Sequence, residues 1–123
     1  MMPMISNAIF PARTDARSVP FRTTIELMHK LSAPQLDAAL AGLPGWSVVN
    51  EKLHREYRFP DFIHAFGFMA TSAIAIEKMN HHPEWCNVYN KVHVDLTTHD
   101  AGGVTQKDVD LAHALDAFAG KLQ

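Results

Sequence analysis

Only one cysteine, Cys86, occurs in the 123 residues. No intrachain disulfide can form, and such usage fits a reducing compartment. No apolar run approaches the roughly 20 residues of a membrane-spanning helix, so no membrane segment is expected. An excess of one charge is missing too. Lys and Arg number 11, Asp and Glu 13, for a formal net charge of -2. Without a basic stripe, direct nucleic-acid binding is not expected. No internal repeat recurs at a solenoid period. The spacings of common zinc sites, CxxC and HExxH, are absent, as is the Lys-Ser/Thr ending of a phosphate-binding loop. No metal site is expected.

What is present is a globular composition, 47% apolar and 20% charged. This length suggests a single domain that buries roughly 65% of its unfolded surface. Residues 1–22 stand apart, with three prolines, three arginines and Asp15 as the only acid. An irregular arm is expected there. Organellar targeting is the weaker alternative, because Asp15 and the lack of an amphipathic run argue against a transit segment. The state of Thr23 to Leu31 is left open. Residues 1–31 are thus an N-terminal extension, and residues 32–120 are the expected domain.

Ser32-x-x-Gln35, with Pro34 in the first turn, has the form of a capping box. A short helix carrying Leu36, Ala39 and Leu40 should follow and stop at Gly42 and Pro44. Trp46 to Val49 reads as a strand, Asn50-Glu51 as a turn, and Lys52 to Phe59 as a half-buried strand. In that strand Leu53, Tyr57 and Phe59 share a face that Arg55 interrupts. Asp61 is a candidate N-cap for a long helix running to about Met79. Its expected core stripe is Phe62, Phe66, Met69, Ala70, Ala73 and Ile76. Trp85 to Val88 and Lys91 to Thr98 form the second strand pair. Thr105-x-x-Asp108 caps a last helix, expected to end at Gly120. The order α-β-β-α-β-β-α, with strands in adjacent pairs, predicts an α+β fold: a four-stranded antiparallel sheet with three helices on one face.

Eight histidines are many for this length, and His81, His82, His93 and His99 fall within nineteen positions. His81 and His82 are adjacent, and Pro83 biases His82 toward extended backbone. Neighbours in an extended segment point in opposite directions. One ring can then face a pocket while the other braces it. Two solvated rings, a metal site and an acid–base pair are the competing readings, and histidine titrates near neutrality. Glu77 follows Phe66 by eleven residues, about 20° off the same helical line, which places it at the end of the expected core-facing side. It is either a helix-end carboxylate reaching water or a group that orients a histidine or ligand. His99 lies at a strand end, where ligand sites are frequent. Asp108 is a capping residue by its position. Cys86 is expected to pack.

These residues together carry a resemblance. Glu77-Lys78, His81-His82-Pro83-Glu84-Trp85, Tyr89-Asn90-Lys91-Val92, Thr98-His99, Gly103 and Asp108 follow one another as in the pterin-4a-carbinolamine dehydratase family. Gly45-Trp46 resembles that family as well, and the likeness covers roughly residues 32–119. It implies a hydro-lyase, 4a-hydroxytetrahydrobiopterin dehydratase, acting in pterin cofactor recycling. It implies His81, His82 and His99 as catalytic residues and Glu77, Asp108 and Trp85 as substrate-binding ones. The pterin is then the substrate, and no cofactor is expected. A cytoplasmic homodimer or homotetramer is implied, serving an aromatic amino-acid hydroxylase. The alternative is a non-catalytic oligomerisation or regulatory partner of the same fold, since an animal member of the family is a dimerisation cofactor for a homeodomain transcription factor.

Overall fold

The computed structural model describes residues 28–123, so the arm or targeting segment expected over residues 1–22 lies outside the described residues. Helix α1 spans Ala33–Ala41. Ser32 N donates to Gln35 Oε1 at 2.8 Å, and Gln35 N donates to Ser32 Oγ at 3.3 Å. Two N–H groups without helical partners are thereby satisfied. The chain then turns through Gly45 at φ +91°, where an added Cβ would lie 3.0 Å from the Arg55 guanidinium. Only glycine meets both demands.

Strands β1 (Ser47–Val49) and β2 (Lys52–Arg58) form a hairpin, with Asn50 and Glu51 both left-handed at φ 52° and 64°. A two-residue turn of this hand matches strand twist. Helix α2 (Phe62–Met79) starts where Asp61 accepts from His64 N at 2.9 Å, and it stops at left-handed Asn80. Strands β3 (Glu84–Val88) and β4 (Lys91–Leu96), a 3-10 turn at His99–Ala101 and helix α3 (Gln106–Leu122) complete the chain. The sheet order is β1-β2-β4-β3, antiparallel throughout.

Alternation along the central strands sends Leu53, Tyr57, Val92, Val94 and Leu96 to one buried face. Helices α2 and α3 pack on each other over that face, and Leu36, Ala39 and Leu40 of α1 join the same core. The expected α+β architecture is observed. Among the described residues no helix is long and apolar enough to cross a membrane.

Arg55, which interrupts the apolar face of β2, is matched by a carboxylate. Asp116 Oδ1 accepts from Arg55 Nη1 at 2.9 Å, from Trp46 Nε1 at 3.0 Å and from the Tyr57 hydroxyl. The guanidinium also lies 4.5 Å from the Tyr57 ring centroid, within cation–π range. One carboxylate of α3 thus ties down three side chains from β2 and the approach to β1.

Three expectations need correction. The core side of α2 is Ala65, Phe68, Ser72 and Ile76, not the stripe through Phe62, Phe66, Ala70 and Ala73. Phe62, Ile63, Phe66 and Ile74 are exposed instead. This helix is apolar nearly all round, so two stripes compete and periodicity alone does not choose between them. Glu77 consequently lies on the exposed side. Helix α3 passes through Gly120 to Leu122, because Phe118, Ala119 and Leu122 pack on the core and outweigh a glycine penalty of about 1 kcal/mol. Cys86 does not pack. It is exposed on the open face of the sheet, opposite His93.

Candidate active site

The left-handed Asn80 at the end of α2 releases the chain into His81-His82-Pro83 before β3. The two imidazoles part company there. His81 turns inward, only 11% exposed, and its Nε2 lies 2.6 Å from Asp108 Oδ1. His82 turns outward and meets Glu77 Oε1 with Nε2 at 3.1 Å, both side chains well exposed.

Asp108 is fully buried, yet it is amply supplied with donors. Its Oδ2 accepts from Thr105 N at 2.8 Å and from the Thr98 hydroxyl at 2.8 Å. The Thr98 proton is thereby committed, so the Thr105 hydroxyl must donate to Thr98 Oγ1, 2.8 Å away. Thr105 Oγ1 in turn accepts from Lys107 N. Asp108 is therefore the capping residue its position announces, and it does a second job through Oδ1. A carboxylate can only accept. His81 must present Nε2–H to it, so in the neutral ring Nδ1 is the lone-pair nitrogen.

His99 stands one residue beyond Thr98, on the 3-10 turn, and is 78% exposed. Gly102 closes that turn at φ +76°, and the Thr98–Gly103 bridge pins its base. The His99 Nε2 lies 3.1 Å from Glu84 Oε2. His99 also borders an open cavity of about 210 Å³ shared with Asn50, Lys52 and Thr97. Trp85 is half-buried against the core, its ring 6.4 Å from that of Phe68 in an edge-on contact.

Each of the three histidines is thus paired with a different carboxylate. Among the described residues no hydrogen bond joins one of these imidazoles to another. Asp108 nevertheless connects two of the segments, holding His81 directly and His99 through its neighbour Thr98. From sequence Thr98 was only a motif neighbour of His99 and Thr105 only the head of a capping box; their hydrogen bonds around Asp108 were not foreseen. Glu84, between Pro83 and Trp85 in the resembling motif, was given no role of its own. Asp116 had a usable signal: Arg55 on an apolar strand face calls for an acid beside it. Among the described residues no three His, Cys, Asp or Glu side chains group as metal ligands.

The sequence profile of the Pterin 4 alpha carbinolamine dehydratase family matches residues 29–118. The chain belongs to that family. A Solibacter usitatus (strain Ellin6076) protein is 62% identical over 90 residues, which are 73% of this chain and 95% of its own; it carries the provisional name pterin-4-alpha-carbinolamine dehydratase. A Rhodopseudomonas palustris (strain BisB18) protein with the same provisional name is 52% identical over 98 residues, 78% of this chain and 97% of its own. The crystal structure of a transcriptional coactivator/pterin dehydratase from Brucella melitensis superposes with a TM-score of 0.73 at 45% identity. It covers 75% of this chain and 100% of that one. The matched residues span all four strands and the segments that carry His81, His82 and His99.

Proposed function

We propose that the protein dehydrates 4a-hydroxytetrahydropterin to quinonoid dihydropterin by imidazole proton transfer. The observation that carries this reading is the buried Asp108–His81 pair at 2.6 Å, in a chain of the dehydratase family. In the reaction the C4a–O bond breaks and the hydroxyl leaves as water after gaining a proton. The N5–H bond gives its electron pair to a new C4a=N5 bond, and the N5 proton goes to a base. His81, with Nε2–H directed at Asp108, offers Nδ1 as that base. His82 and His99, open to water and each beside a carboxylate, can deliver the proton to the departing oxygen and be recharged. Glu77 and Trp85 then bound the pterin. The direct test is stopped-flow observation of 4a-hydroxytetrahydropterin decay. An unchanged decay rate at micromolar protein sinks the proposal.

If His82 and His99 share the proton transfer, replacing either with alanine lowers turnover by roughly 10–10³-fold with folding intact. The double variant loses less than the product of the two. His93, on the open sheet face 3.8 Å from Glu56, is the control. His93→Ala stays within about twofold of the parent. Equal damage at His93 and none at His82 would move the site to the sheet face.

Both steps are proton transfers, so the reaction is proposed to need no metal and no further cofactor. Activity should survive dialysis against a strong chelator. Loss that zinc restores refutes this.

A homo-oligomer is proposed on two features. Strands β1 and β3 are sheet edges, which invite pairing. Phe62, Ile63, Phe66 and Ile74 leave an apolar stripe on α2. Sedimentation at micromolar concentration should show a species heavier than the 13.7 kDa chain. A sole monomer peak argues against it. A cytoplasmic location and service to an aromatic amino-acid hydroxylase belong to the same reading.

A further inference from the structure

Glu84 opens β3, where strand alternation turns Trp85 toward the core and Glu84 toward the open face of the sheet. There its two oxygens are divided between two elements. Lys52 Nζ, at the start of β2, donates to Oε1 at 2.6 Å, and His99 Nε2 on the 3-10 turn faces Oε2 at 3.1 Å. Asp95 stands directly opposite Glu84 in the β3–β4 ladder. Two carboxylates placed so repel each other. Lys52 and His54 offset that repulsion, His54 through Nδ1 at 2.8 Å from Asp95 Oδ1. The Lys52 hydrogen bond, foremost, holds the Glu84 carboxyl below the usual carboxylate range. Glu84 is therefore an acceptor only, and His99 must present Nε2–H to it.

His99 needs such a hold. It is largely exposed and stands on a turn. Its described side-chain hydrogen bond is the one to Glu84. An exposed pair of this kind adds little to stability. Its consequence is orientation: with Nε2 engaged, the ring is turned so that Nδ1 is the nitrogen left for a ligand.

We propose that Glu84, braced by Lys52, is a positioning residue for His99, fixing the ring so that Nδ1 meets the pterin. This rests on the assignment of His99 to proton transfer made above. Misplacing a reacting group by an ångström can cost up to about 10²-fold. Glu84→Ala should therefore lower kcat by roughly 5–50-fold, with KM within about twofold and the melting temperature nearly unchanged. Glu84→Gln keeps an oxygen acceptor and should recover part of the loss. Lys52→Ala should fall between the parent and Glu84→Ala.

The independent readout is ring order. Relaxation of the His99 ring carbons by 13C NMR should report one fixed orientation in the parent and averaging in Glu84→Ala. An equally ordered ring in Glu84→Ala overturns the proposal, as does an averaged ring with unchanged kcat. Should the parent fail to accelerate dehydration, the proposed function falls. Ring relaxation alone then decides whether Glu84 orients His99, and an ordered ring in Glu84→Ala still overturns that.

Discussion

Asp108→Ala should lower kcat/KM for 4a-hydroxytetrahydropterin by about 10²–10³-fold, within the usual contribution of positioned proton transfer. It should also cost about 3 kcal/mol of stability, read as a lower urea midpoint at unchanged slope. Both losses follow from one fully buried carboxylate that receives His81 Nε2, Thr98 Oγ1 and Thr105 N. Alanine removes the acceptor and leaves three buried donors unanswered, which is costlier than never having built the network. It also frees the His81 ring, so the nitrogen left unprotonated is no longer determined. Asp108→Asn separates the two effects. The amide fills the same space and keeps one acceptor oxygen, but its NH₂ must then face a donor. A smaller stability loss, about 1–2 kcal/mol, should accompany an activity loss of at least about 10-fold. A stable Asp108→Asn variant with full turnover would remove the His81–Asp108 pair from the mechanism.

Asp116→Ala should be the more damaging change to folding, by about 3–5 kcal/mol, because it strands the partly buried Arg55 charge together with two neutral donors. Turnover per folded molecule should stay within about twofold, since the histidine–carboxylate pairs do not use Asp116. Thermal and urea unfolding followed by a folded-fraction-corrected assay separates the two. A variant as stable as the parent would show that the hub is ornamental. The tyrosine in this hub adds a pH signature. Burial, with help from the Asp116 hydrogen bond, pushes the Tyr57 hydroxyl well above its ordinary value. Its contribution is therefore fully present below about pH 10, the unfolded value, and is lost progressively as pH rises toward the folded one. The stability advantage of the parent over Tyr57→Phe should be constant up to about pH 10 and shrink above it.

How far the chain could be read depended on the range of the interactions involved. Short-range signals were reliable at helix starts and along strands, though not at Gly120. Ser32-x-x-Gln35 and Thr105-x-x-Asp108 announce helix starts within four residues, and both capping boxes form. The alternation of Lys52 to Phe59 and of Lys91 to Thr98 specifies which face of each strand is buried, and Leu53, Tyr57, Val92, Val94 and Leu96 are on it. Adjacent strand pairs joined by short turns determine an antiparallel sheet. The succession of histidine, tryptophan, glycine and acid motifs determines the family.

The tertiary structure alone decided three things. Helix α2 carries more apolar surface than one face can bury, so the packing of α3 selected Ala65, Phe68, Ser72 and Ile76 and left Phe66 and Glu77 outside. Asp108 has two oxygens, and whether the second serves more than a cap depends on where the chain brings His81, twenty-seven residues earlier. Glu84 is an ordinary surface acid in one dimension, and Arg55 calls for an acid without saying that it is Asp116. Glu84 meets His99 only because β3 and the 3-10 turn are brought together at the sheet, and Asp116 meets Arg55 only because α3 packs over the face that β2 presents. Local periodicity records which side chains dislike water. It carries no distance between residues remote in the chain, and hydrogen bonds of about 3 Å are decided by such distances.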